Sequence, residues 1–301
     1  MDLSGAFLES ANLAGTVLRD AKLTGTVLAR ADLSGASLSG ADLSLANLGG
    51  ATLVGTDCTF AVFDEATLMG AKLAGTVFAG ARFDKTMFLE AVFEDVSFAS
   101  AEMVAPLFMK VDLRRVSFVG ARLPQARFID VELESGDFAS AELPQAQFIQ
   151  ARADRADFTG ADVSGGSFAQ GSSCVGARFG SARLVGTMLR GLSLREASLA
   201  GADLSKADLS GADLRGASLA RVRGRDARLV RADLRGADLR GADLLGAIVQ
   251  KARIEGADLT GASLARADLA LVRSDEATKL DRVLSTDARV HPKWREPEVV
   301  R

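Results

Sequence analysis

Residues 201–220 read GADLSKADLSGADLRGASLA. Leucine returns every fifth position, as Leu204, Leu209, Leu214 and Leu219, with alanine two residues before each. A five-residue step turns a helix by about 140° at 3.6 residues per turn, so these leucines would scatter around a helix. Split into two and three, the spacing makes sense. Ala202 and Leu204 lie two apart and point to one side of an extended segment. The odd step from Leu204 to Ala207 requires a turn, so short strands and turns alternate and the chain coils with its alanines and leucines inside. A small first inward residue and a larger second one suit a narrow, densely packed core. The polar residue between them faces water. Glycine, serine and arginine occupy the corner, where glycine tolerates positive φ and small polar side chains bond nearby backbone.

The pattern A(D/N)LXX recurs over about nine-tenths of the chain and resembles the pentapeptide-repeat family. That resemblance implies an all-β fold, a right-handed quadrilateral parallel β-helix with four quintets per coil. The central residue steps by five from Leu3 to Phe168, giving 34 quintets, and resumes one residue late at Cys174 for 20 more, ending at Leu269. The total of 54 quintets corresponds to about 13.5 coils. At about 4.8 Å between stacked strands, the rod would be roughly 65 Å long.

Phenylalanine supports the four-sided coil. Phe88, Phe108, Phe128, Phe148 and Phe168 are spaced by twenty; Phe78, Phe98, Phe118, Phe138 and Phe158 form a second series offset by ten. They predict two opposed aromatic walls separated by aliphatic ones. The extra residue near Gly171–Cys174 is expected as a local bulge, after which Phe179 falls onto the wall of Phe158. Gly224 replaces a central leucine, which predicts a small core defect, and Pro124 and Pro144 should stack as rigid turns at one corner.

The repeat is expected to occupy residues 1–273, with a cap and tail at 274–301. Ser274, the acids after it, and Ala277, Leu280 and Leu284 on one face suggest a short helix; an irregular last coil is the alternative. The remainder carries one large apolar residue, Trp294, which either folds back onto the rod or docks a partner. Met1 already stands at an inward position, so the first coil is expected to meet a partner, a homodimer mate included, or to continue a longer protein.

The whole chain has 301 residues, is 48% hydrophobic and carries a net charge of -3. No lysine-rich start leads into an apolar run, and no apolar stretch is long enough to span a bilayer, so a cytoplasmic protein without a membrane span is expected. Cys58 and Cys174 occupy central repeat positions and read as reduced core residues. His291 is the single histidine. No His/Cys cluster has metal-ligand spacing, no nucleophile–base arrangement stands outside the repeat, and no G-x-x-x-x-G-K-[ST] loop occurs. The expectation is a protein that is not an enzyme, without cofactor, metal or small-molecule substrate.

Charge is unevenly placed. Residues 1–171 hold 13 basic and 22 acidic side chains, a net of -9, and residues 172–301 hold 23 and 17, a net of +6. Arg195, Arg215 and Arg235 recur every twenty residues and form a candidate interaction surface together with Trp294. The arginine row is either an anion-binding ladder or a solvated row neutralised by Asp213 and Asp233, which precede two of its members. Three functions compete. The first is a non-catalytic scaffold that binds another protein through its flat walls. The second follows from the resemblance: family members that confer quinolone resistance mimic duplex DNA and bind DNA gyrase, and only the acidic half of this chain could do so. The third, also by resemblance, is a repeat segment of a type VI secretion accessory or effector protein. Direct nucleic-acid binding is not expected.

Overall fold

The computed structural model describes residues 1–291, which wind into one parallel β-solenoid. Each quintet places its polar residue in a backbone bridge to the residue one coil away. The first wall runs Asp2, Lys22, Asp42, Val62, Arg82, Glu102, Arg122 and onward to Asp243, Ser263 and Leu284. Its central residues are Leu3, Leu23 and their successors. The second wall is centred on Leu8 and Phe128, the third on Leu13 and Leu214, the fourth on Leu18 and Phe138. Between coils every bridge is closed by backbone bonds such as Leu3 N–H to Lys22 O at 2.8 Å and Lys22 N–H to Met1 O at 2.9 Å. Pairing lengthens into named strands in the middle: β1 (Arg82–Asp84), β2 (Met87–Leu89), β3 (Glu102–Val104), β4 (Leu107–Met109), β5 (Arg127–Glu132), β6 (Gln147–Arg152) and β7 (Ser167–Ala169). β1 pairs with β3 on the first wall, while β2, β4, β5, β6 and β7 form a five-stranded sheet centred on the second.

Corners follow from the turn chemistry. At most of them the N–H of the next alanine donates to the central residue's carbonyl, as Ala6 does to Leu3 at 2.9 Å. The second residue of the turn takes positive φ, whether it is Gly25 at 64° or Arg231 at 60°. Pro124 and Pro144 stand just before such residues, where a fixed negative φ suits a type II turn.

The interior is periodic. Phe108, Phe128 and Phe148 stack at centroid separations of 5.1 and 4.8 Å, and Phe118, Phe138 and Phe158 at 4.9 Å. The two columns meet across the axis edge-on, with Phe128 and Phe138 5.8 Å apart at 89°. A shorter pair on the first wall, Phe63 and Phe83, stacks at 5.0 Å. Threonines at inward alanine positions keep their hydroxyls satisfied: Thr56 donates to Leu33 O at 2.8 Å and Thr76 to Leu53 O at 2.6 Å. Leu244 of the next coil leans into the space at Gly224, so close that a Cβ there would lie 2.7 Å from its Cδ2.

Register shifts twice. Arg152 pairs with Ser173, twenty-one residues on, and Phe158 stacks on Phe179 at 4.9 Å. Ser172 takes the inward position there; its hydroxyl donates to Ala169 O at 2.8 Å and lies 3.1 Å from the Ala151 N–H. The second shift lies after Arg273. Lys279, Leu284 and Arg289 pair with Asp258, Ser263 and Asp268, so the expected short helix from Ser274 does not form and the segment takes the alternative, an irregular last coil. A lone helix of that length is marginal in water. The preceding coil instead offers a row of carbonyls, and Lys279, Leu284 and Arg289 each donate to it at 2.9 Å.

Candidate functional site

Arg195, Arg215 and Arg235 stack on the third wall. Arg215 forks onto the Asp213 carboxylate at 2.8 and 2.6 Å, and Arg235 onto Asp233 at the same distances. These hydrogen bonds hold both carboxyls below the ordinary aspartate range and raise both guanidiniums. Arg195 differs because Ser193 occupies the place of the aspartate, and it acts on Asp213 one coil away only through space. Two of the three arginines are therefore consumed by their own wall. Trp294 lies outside the described residues.

Elsewhere charge is mostly cancelled locally. The first wall alternates in sign along the axis, with Arg82 held by Asp64, Arg122 by Glu142 at 2.9 Å and Arg223 by Asp203 at 3.3 Å. On the third wall Arg114 pairs with Asp112 at 2.5 Å, and Arg152 and Arg155 pair with Glu132 and Glu134. Such exposed pairs are screened by solvent, so they set surface potential more than stability.

The second wall is different. Its outward row just past the centre runs Met69, Leu89, Met109, Ile129, Ile149, with strand register placing Leu89 beside Met109, Met109 beside Ile129 and Ile129 beside Ile149. Met87 and Leu107 extend the stripe on the other side of the centre. Met69 is 51% exposed and Met87 47%. Sequence reading missed this stripe because it treated the X positions as generic corners; the signal was the apolar residue after each central phenylalanine of the second wall, Leu89, Met109, Ile129 and Ile149.

Towards the C-terminal end the same wall becomes cationic. A shallow groove of about 310 Å³ is lined by Arg190, Ser210, Arg228, Val230, Arg231 and Lys251. Around the corner towards the third wall, whose bridging row includes Arg253 and Arg273, a neighbour of about 420 Å³ is lined by Arg231, Lys251, Arg253, Leu271 and Arg273. The side chains of Arg231 and Lys251 make no hydrogen bond or ion pair with any described residue.

An apolar cavity of about 570 Å³ runs up the core from the last coils, lined by Leu229, Leu244, Ile254, Leu264, Val272 and Val283 among others. Among the described residues no three His, Cys, Asp or Glu side chains gather so as to hold a metal. Cys58 and Cys174 are fully buried, and burial pushes both thiols well above their ordinary range. No helix long and apolar enough to cross a membrane occurs among the described residues.

No curated protein matches the chain. Among solved structures it is similar to HetL, a pentapeptide repeat protein involved in heterocyst differentiation regulation in the cyanobacterium Nostoc sp. strain PCC 7120. The two share 27% identity over 77% of this chain and 90% of HetL, with a TM-score of 0.43. A pentapeptide repeat protein of the Arabidopsis thaliana thylakoid lumen shares 26% identity over 36% of this chain and 71% of its own, TM-score 0.28. A trypsin-treated form of QnrB1, a plasmid-mediated fluoroquinolone resistance protein, shares 19% over 55% and 90%, TM-score 0.33. The family model for pentapeptide repeats matches in 8 copies, over residues 2–40, 41–80, 61–98, 137–168, 172–211, 207–246 and 239–272. Quintets that close a four-walled coil around stacked central residues, and a family model matched along most of the chain, place this protein in the pentapeptide-repeat family.

Proposed function

We propose that this protein is a non-catalytic scaffold and that it binds a protein partner through its second wall. The observation that carries this reading is the apolar row Leu89, Met109, Ile129 and Ile149, half-exposed along the outside of the five-stranded sheet and continued by the exposed Met69 and Met87. Contiguous apolar surface that faces water marks an interaction site, and a rigid sheet presents it without an ordering cost. The walls that carry balanced ion pairs lack this property. Imitation of DNA, the competing reading, needs long runs of uncompensated negative charge. The acids of the first half are instead interleaved with Arg82, Arg114, Arg122 and Arg152, each paired.

Photo-cross-linking in the native host tests the proposal. A photoreactive residue at Met109 on the stripe should join the chain to a discrete protein partner, while one at Ala139 on the fourth wall should not. Ile129→Lys should abolish the Met109 product. Equal products from both walls, or none from Met109, would overturn the reading.

A further inference from the structure

We infer that the cationic end of the second wall is a docking groove for an acidic, extended segment of a protein partner, an inference that rests on the second wall being the protein-binding face. Two grooves lie side by side and share Arg231 and Lys251. The acids around them are already engaged. Asp208 lies 3.5 Å from Arg190 and 3.9 Å from Arg228, Glu255 holds Arg253 at 3.0 Å, and Asp268 takes Gln250 at 2.8 Å and Arg289 at 3.4 Å. Arg231 and Lys251 stand at the corner one coil apart, about 4.8 Å along the axis, with no acid paired to either among the described residues. Two like charges carried on adjacent coils repel each other, and an anionic group set between them relieves the repulsion.

The surroundings select the kind of anion. Outward apolar residues lie among the cations: Val230 and Leu271 line the grooves, and Met188 and Ile248 stand in the bridging row of the same wall. A phosphodiester backbone has nothing apolar to place on them. An acidic peptide that alternates carboxylates with aliphatic side chains satisfies both kinds of surface. Arg190 to Lys251 spans three coil steps, about 14 Å, which an extended segment of four or five residues covers.

The test uses the full chain and three fluorescent probes: an octapeptide alternating Glu and Leu, its Gln–Leu counterpart, and a twelve-residue oligothymidylate. Anisotropy should show saturable binding of the Glu–Leu peptide that weakens with salt, at least about tenfold tighter than either other probe. The Arg231→Gln/Lys251→Gln variant should lose at least about tenfold in affinity, whereas Arg215→Gln, on the third wall, should leave it unchanged. Circular dichroism confirms that the variants keep their fold, since both positions are solvent-facing. Equal binding of the oligothymidylate, equal binding by the double variant, or no saturable peptide binding would each overturn the inference. Loss of the peptide signal with Met109 cross-linking intact removes the acidic segment alone. Loss of the cross-link with peptide binding intact removes the partner reading of the stripe instead.

Discussion

Phe128 shows what one inward residue contributes. It is fully buried, sandwiched between Phe108 and Phe148 and met edge-on by Phe118 and Phe138. Phe128→Asp would bury a carboxylate with no partner, at a cost of several kcal/mol, while Phe128→Leu should cost about 1 kcal/mol. Melts followed by circular dichroism should separate the two clearly. Glycines divide in the same way. Gly25 has φ of 64° and open space where a Cβ would go, so Gly25→Ala meets only backbone strain, about 1 kcal/mol. Gly166 occupies an inward position where a Cβ would lie 2.7 Å from Ala146 O and 2.9 Å from Val163 O. Gly166→Ala should therefore lower Tm more than Gly25→Ala. The phenylalanine columns were legible in the sequence, because a spacing of twenty has only one reading in a four-walled coil. Leu244 leaning into the space at Gly224 was not, since a missing side chain does not say which neighbour leans in.

Many strand-and-corner elements are tied by an outward aspartate. Asp32 accepts the Ser34 N–H at 2.9 Å, and Asp57 accepts the Thr59 N–H at 3.1 Å and its hydroxyl at 2.6 Å. The hydroxyl and then the backbone N–H hold both carboxyls below the ordinary aspartate value. A carboxyl whose folded pKa is depressed contributes stability that is fully present above its unfolded pKa, about 3.9, and is lost as pH falls through the lower folded value. Many quintets share this device, so Tm should stay level from pH 7 to about 5 and drop steeply below about pH 4. Thermal melts across that range check it, and Asp57→Asn should flatten part of the drop. The segment after Arg273 shows why an element can mislead. Its serine, its acids and its spaced Ala277, Leu280 and Leu284 satisfy helix rules locally, yet the exposed edge of the last coil overrides local propensity by supplying partners. The inward Thr278, donating to Ile254 O of the preceding coil at 3.0 Å as Ser172 does to Phe148 O at 3.2 Å, was the overlooked sign that the repeat continues.

For the whole molecule, the stripe and the cationic groove act together only because both lie on one wall, and that alignment is set by counting residues. The arginine row of the third wall was the charge pattern visible in the sequence. The free charge lies at the neighbouring corner because local aspartates quench the row, which spacing by itself does not reveal. Deleting residues 151–170 removes one coil, so every wall below keeps its face and the groove only moves about 4.8 Å closer to the stripe. Deleting residues 151–155 removes one side of a coil and turns all that follows by a quarter turn. The repeat pattern survives that smaller deletion, but Phe158 leaves the column of Phe138, to which it is stacked at 4.9 Å, and the groove rotates onto the first wall. Because each coil contacts only its neighbours, the damage to packing stays at the junction. The five-residue deletion should thus melt several degrees below the twenty-residue one while both remain folded. Binding of the Glu–Leu peptide, which depends on the groove alone, should be retained by both. Partner cross-linking from Met109 should persist in the twenty-residue deletion and fall sharply in the five-residue one. Equal cross-linking in the two would mean that the stripe and the groove serve separate partners.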